Sequence, residues 1–134
     1  MIFRHIDFNE DKTRSEEIIN LFASDLATST CHFDDESPTE NLFYVIENHN
    51  GVMVGAAEAR IEDEHIFKLL NLAILPSYRN KGLGSEFLTA IENYVKESLS
   101  SQVTMIKLIP GGNSGGFYEN RGYEQDWIFF FKNI

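Results

Sequence analysis

The chain has 134 residues, 43% of them hydrophobic, and a formal net charge of -10. That length suits one domain, spanning residues 1–134, which can bury a core of its own. The charge argues against a nucleic-acid partner, whose binding rests on cationic contacts to phosphate. Cys31 is the single cysteine, so neither an internal disulfide nor a cysteine-built zinc site can form. No apolar run reaches the roughly 18–20 residues of a membrane span. The opening stretch MIFRHIDFNEDK carries charge where a signal peptide would be apolar, so a cytoplasmic protein is expected.

From the N-terminus, Met1 to Asp7 reads as a short strand. Thr13-Arg14-Ser15-Glu16 has the spacing of a capping box, and Ile18, Ile19, Phe22, Ala23, Leu26 and Ala27 then recur at helical spacing. Periodicity stops at Thr28. The polar stretch to Glu40, with Asp34-Asp35-Glu36 and Ser37-Pro38, is a loop or a broken second helix. Loops of that length are uncommon in compact domains unless they carry a function, which makes this stretch a candidate binding loop.

Leu42 to Glu47 is a strand, and Asn50-Gly51 signals a type I′ hairpin leading into Val52 to Ile61. Glu62-Asp63-Glu64-His65 is a second turn, and Ile66 to Leu75 is the next strand, which completes an antiparallel meander. After Gly82, Leu83, Phe87, Leu88, Ile91, Tyr94, Val95 and Leu99 form one helical face. Val103 to Ile109 is a strand behind that helix, so the crossover makes it parallel to the strand before the helix. A glycine-rich turn, Gly111 to Gly116, precedes a short helix from about Ser114 to Asn120, and Trp127 to Lys132 is the last strand. The order β-α-β-β-β-α-β-α-β describes an α+β fold with a central mixed sheet flanked by helices.

The chemistry concentrates where a strand empties through Pro76 into Arg79-Asn80-Lys81-Gly82-Leu83-Gly84-Ser85 and then a helix. Gly82 and Gly84 let a ligand approach the backbone, the helix start offers unpaired N–H donors, and Arg79 can add a charged fork. These are the attributes of a phosphate site. The loop lacks the Lys-Ser/Thr of a Walker A motif, and Phe87 stands where a dinucleotide fingerprint needs a third glycine.

Leu72-Ala73-Ile74-Leu75-Pro76, the loop with Arg79, Gly82 and Gly84, and the later Phe117-Tyr118-Glu119-Asn120-Arg121-Gly122-Tyr123 together resemble the GCN5-related N-acetyltransferase (GNAT) family. The element order is similar to that fold over nearly the whole chain. The resemblance implies acetyl-CoA as co-substrate, with the amides of Arg79, Asn80, Lys81, Gly82, Leu83, Gly84 and Ser85 on its pyrophosphate. It implies pantetheine pairing along Leu72, Ala73 and Ile74, and Tyr118 as the general acid for the departing thiolate. The implied reaction is direct acetyl transfer to a primary amine; a CoA-binding sensor module of the same fold is the other reading.

Two departures accompany the resemblance. Gly111 stands where the family often has an asparagine seven residues before this tyrosine, so Asn113 is the nearer choice for a cofactor contact. No carboxylate lies within Leu70–Ile74 or Val103–Ile109, where the family often keeps a base; Glu58, Glu47 and His65 are substitutes working through water. His5, His32 and His49 lack the spacing of a metal site, and no metal is expected. The resemblance implies an amine acceptor, a small molecule or a peptide whose identity the sequence leaves open, and a cationic one if Asp34, Asp35, Glu36, Asp63 and Glu64 line its pocket. Monomer and homodimer both remain open.

Overall fold

The computed structural model describes residues 1–25, 41–111 and 114–134. The expected binding loop, Cys31 and Asn113 lie outside the described residues.

Strands β1 (Ile2–Ile6), β2 (Leu42–Glu47), β3 (Met53–Glu62) and β4 (Ile66–Ile74) pair antiparallel in sequence order. Helix α2 (Leu83–Ser98) crosses to β5 (Met105–Leu108), which lies parallel to β4 as the crossover requires. Helix α3 (Gly115–Glu119) then leads to a closing hairpin, β6 (Glu124–Asp126) and β7 (Phe129–Asn133), in which β7 pairs with β5. The sheet has seven strands in the order β1-β2-β3-β4-β5-β7-β6. It is the mixed sheet that the element order implied.

Two cores cover its faces. Phe87, Leu88, Ile91 and Val95 of α2 pack on Tyr44, Ala57, Phe67, Ile106 and Leu108. On the other face Ile18, Leu21 and Phe22 of α1 (Lys12–Asp25) meet Phe43, Val45, Ala56 and Ala73.

Several expectations need correction. Helix α1 is capped by Asp11, whose Oδ1 accepts from Arg14 N–H at 3.1 Å, so Thr13 is already inside the helix. Ile19 is 39% exposed, and Leu21 takes its place in the core. At the β2–β3 turn only Gly51 is left-handed (φ 76°), and Asn48 N–H closes the loop on Val52 O at 2.9 Å. This is a three-residue loop with one left-handed residue, not a type I′ turn. The paired left-handed residues sit in the next hairpin, at Asp63 and Glu64 (φ 50° and 67°). Trp127 and Ile128 form the β6–β7 turn, so the last strand starts at Phe129.

Candidate active site

The parallel register of β4 and β5 runs from Ile66 opposite Met105 to Leu69 opposite Leu108, and there it ends. β4 continues five residues further, to Ile74, paired only with β3. Its companion runs instead into the exposed Ile109 and into Pro110, which has no N–H to give a ladder. One edge of β4 is therefore open from Leu70 onward.

A bulge decides which groups face that opening. Ala59 pairs with Leu69 but Glu58 with Asn71, which leaves Leu70 as an extra residue in β4. The alternation shifts there. Phe67 and Leu69 pack on the α2 side, whereas beyond the bulge Ala73 joins the α1 side and Leu72 and Ile74 join α2's. Leu75 N–H donates to Val54 O at 2.9 Å, so by alternation Ala73 spends its backbone groups on β3. Leu72 and Ile74 turn theirs to the open side.

The chain then makes a 3-10 turn (Pro76–Tyr78) and reaches the phosphate-type loop. Asn80 and Gly82 are both left-handed, at φ 63° and 77°. Gly82 is the N-cap of α2, provides no side-chain cap, and accepts the first helical bond from Glu86 N–H at 3.1 Å. Among the described residues, no acceptor meets the amides of Leu83, Gly84 and Ser85. Three outward donors at the positive end of a 16-residue helix suit an anion. Arg79 Nε donates to Ile74 O at 2.8 Å, so this side chain braces the end of β4. Lys81 Nζ lies 5.5 Å from the centre of the Tyr78 ring.

Tyr118 lies on α3, which is docked against this turn. An added Cβ on Gly84 would stand 3.9 Å from the Phe117 ring. Tyr118 itself is 7% exposed and packs edge-on against Phe117 and Tyr123, with ring centres 5.0 and 5.6 Å away. Burial pushes the Tyr123 phenol far above the usual tyrosine range, reinforced by the Glu92 carboxylate that accepts its hydrogen at 3.0 Å.

The three substitute bases separate clearly. Glu58 is 1% exposed on the α1 face of β3, with Oε1 accepting from Asn71 Nδ2 at 2.8 Å and Oε2 from Asn41 Nδ2 at 2.9 Å. Its register partner Asn71 precedes Leu72 on the open edge. Glu47 is held by Arg4 and Arg14, both bonded to its Oε2. His65 precedes β4 at the end away from the opening, about 20 Å of strand from Leu72. Only Glu58 is near the open edge. Its amide partners Asn41 and Asn71 carry no recognisable spacing, and pairing them required the β3–β4 register.

This geometry coincides with a family match: residues 39–125 fit the model of the acetyltransferase (GNAT) domain. The chain belongs to the GNAT family. A protein of Bacillus subtilis (strain 168) named as an acetyltransferase is 39% identical over 80 residues, 60% of this chain and 52% of that protein. The chain spans between half and three-fifths of the curated relatives it matches. The GNAT fold is also seen in N-acetylglutamate synthase from Neisseria gonorrhoeae, whose structure holds coenzyme A and N-acetyl-glutamate. That structure superposes with TM-score 0.75 at 14% identity, covering 100% of this chain and 35% of the synthase. Aminoglycoside 6'-N-acetyltransferase from Enterococcus faecium gives 0.71 at 15% identity, covering 99% and 97%. Among the described residues, no helix is long and apolar enough to cross a membrane, and no cluster of His, Cys, Asp or Glu could hold a metal.

Proposed function

We propose that this GNAT domain transfers an acetyl group from acetyl-CoA to the primary amine of a small molecule or peptide by direct attack. The observation that carries the reading is the continuity of an open strand edge with an uncapped helix start. β4 outruns β5 by five residues and leads within one short turn to the amides of Leu83, Gly84 and Ser85, which meet no acceptor among the described residues. A ligand with an amide-bearing arm and a diphosphate, in that order, fits this sequence of donors and acceptors.

Acetyl-CoA would supply the activated thioester. The amides of Leu83–Ser85, with the left-handed turn at Asn80 and Gly82, bind the diphosphate. The outward groups of Leu72 and Ile74 pair with the pantetheine amides, and a backbone N–H there donates to the thioester oxygen as charge builds on it. Tyr118 gives its phenolic proton to the departing sulfur. Glu58 accepts the proton of the amine, directly or through water, with its orientation held by Asn41 and Asn71. An amine protonated in solution would be drawn by this carboxylate.

Calorimetry with acetyl-CoA, followed by a thiol-release screen over amine classes, tests the proposal. Binding together with thiol release for at least one amine is the expected result, and Tyr118→Phe should slow that release about a hundredfold while leaving CoA affinity within threefold. No binding, or an unchanged rate in Tyr118→Phe at every pH, refutes it. The sensor reading draws on the absence of a carboxylate on β4 beyond its bulge; CoA binding with no release for any amine would favour it.

A further inference from the structure

Helix α3 has five residues, far fewer than an isolated helix needs to hold its shape. The location of Tyr118 is therefore set by whatever α3 is fastened to. One fastening is the packing of Phe117 beside Gly84. Tyr118 also packs on Tyr123 and Phe130. A further fastening is Arg121, to which the motif gives no role.

The Arg121 guanidinium reaches both halves of the donor site. Its Nε donates to Ser85 Oγ at 3.0 Å, and Nη2 donates to the same oxygen. Nη1 donates to Phe117 O at 3.0 Å, and the guanidinium carbon stands 3.9 Å from the centre of the Phe117 ring. Arg121 N–H donates to Tyr118 O at 3.0 Å. The far side is fixed as well, because Lys132 Nζ donates to Arg121 O at 2.9 Å and to Glu92 Oε2 at 3.1 Å. Ser85 contributes one of the three outward amides of α2, and Phe117 is the residue before Tyr118. One planar cation thus spans from the turn that faces the diphosphate to the helix that carries the tyrosine. Arg79 stands differently, with Nε on Ile74 O.

Resting on the acetyl-CoA reading above, we propose that Arg121 is the positioning residue of this site. Its fork holds the Tyr118 helix against the diphosphate turn, and its charge adds to the attraction of that turn for phosphate. The two contributions separate by chemistry. A lysine keeps the charge but cannot bridge Ser85 Oγ and Phe117 O with a planar fork; a glutamine loses the charge.

The test uses the full chain, with CoA binding measured by calorimetry and turnover measured with acetyl-CoA and an amine from the release screen. Arg121→Gln should weaken CoA binding about fivefold, and misplacement of the tyrosine by a fraction of an ångström should lower kcat about tenfold or more. Arg121→Lys should bind CoA within twofold of wild type yet show the same loss of kcat. Ser85→Ala, which removes the anchor and spares the charge, should also lower kcat with its melting temperature retained. Equal CoA affinity in Arg121→Gln and Arg121→Lys overturns the charge contribution. A kcat within twofold of wild type in both overturns the positioning role, as does a loss of kcat that merely follows the melting temperature. If wild type binds CoA and turns over no amine, the transferase reading fails by itself. The affinity difference between the two Arg121 variants then still decides for or against a role at the diphosphate.

Discussion

Gly55→Ala gives the sharpest test of the open edge, because the added methyl strikes β4 where the site begins. Its Cβ would lie 2.8 Å from Ile74 Cδ1, 3.0 Å from Ala73 O and 3.2 Å from Ile46 Cγ1. The Ile74 side chain can rotate away. The Ala73 carbonyl belongs to the backbone, and Ile46 is 1% exposed in the core, so relief has to come from moving β4 outward by a few tenths of an ångström. Among the described residues, no strand pairs with this edge of β4 beyond Leu69 to resist that movement. Overpacking of this kind costs about 1–3 kcal/mol, which in a chain of this size lowers the melting temperature by roughly 4–11 °C. A displaced edge also loses the equivalent of one net hydrogen bond to the ligand, about 0.5–1.5 kcal/mol. The KM for acetyl-CoA should therefore rise roughly two- to tenfold. Gly84→Ala is the control for stability, since its Cβ meets the Phe117 ring at an ordinary 3.9 Å and should move the melting temperature by less than about 2 °C. The assay pairs thermal unfolding by circular dichroism with initial-rate kinetics. A Gly55→Ala protein that melts and binds like wild type would refute both the crowding and the soft edge.

Three other outcomes are expected. Gly82→Ala has open space around its Cβ but forces alanine to φ 77°, so it should cost about 1–2 kcal/mol and weaken CoA binding measured by calorimetry. Glu58→Gln offers one oxygen to two amide donors and cannot take up a proton. Turnover at neutral pH should fall about tenfold to a hundredfold and recover toward wild type above the pKa of the acceptor amine, whereas an equal loss at every pH counts against Glu58 as base. Burial by itself would raise the Glu62 carboxyl, but a hydrogen bond from Arg60 and the charge of Lys68 outweigh it and hold the carboxyl below its ordinary range. A depressed carboxyl stabilises the fold above its unfolded pKa and loses that contribution as pH falls through the folded one. Urea unfolding of Glu62→Gln should thus differ from wild type near neutrality by less than about 1 kcal/mol, and the gap should close in acid.

The elements legible in the sequence were those whose burial is one-sided and long. α2 keeps the expected face, with Leu83, Phe87, Leu88, Ile91 and Val95 buried, and the crossover after it made β5 parallel. Turn chemistry was less legible. Asn50-Gly51 looks like a type I′ pair, but the Asn48 side chain accepts from both Asn50 N–H (2.9 Å) and Val52 N–H (3.1 Å) and draws the loop into a longer form. Asp11 displaced Thr13 as the cap because both bear a suitable oxygen and only the entry of the chain from β1 selects between them. β6 was missed since Glu124, Gln125 and Asp126 are all exposed and polar, and nothing periodic marks such an edge. Within the site, the loop from Arg79 to Ser85 is local and its turn into α2 was visible, but the Arg79 amide expected among its donors is taken by Pro76 O at 3.3 Å. The roles of Asn41 and Asn71 depend on strand register, which composition does not carry. An arginine four residues beyond Phe117 was the visible hint of Arg121.

The bulge at Leu70 explains how one strand serves both a core and a binding edge. A regular β4 would keep its outward backbone groups on Phe67, Leu69, Asn71 and Ala73, and the side chains buried against α2 would be those same residues. Asn71 would then point its amide into the apolar layer beside Phe87, at a cost of several kcal/mol if unpaired. The extra residue moves Asn71 to the α1 face, where its Nδ2 meets Glu58 at 2.8 Å. It also hands the apolar layer to Leu72 and Ile74 and turns the backbone groups of those two residues toward the gap. One inserted residue thus places the polar pair on the α1 face and the outward ladder groups of Leu72 and Ile74 at the open edge, where Arg79 Nε already meets the Ile74 carbonyl. Deleting Leu70 should reverse both at once. Asn71 would lose Glu58, and CoA binding and stability would fall together, whereas Leu70→Ala keeps the bulge and should lower stability with CoA affinity within threefold of wild type. Equal CoA affinity in the two variants would mean that the register beyond Leu69 does not form the edge.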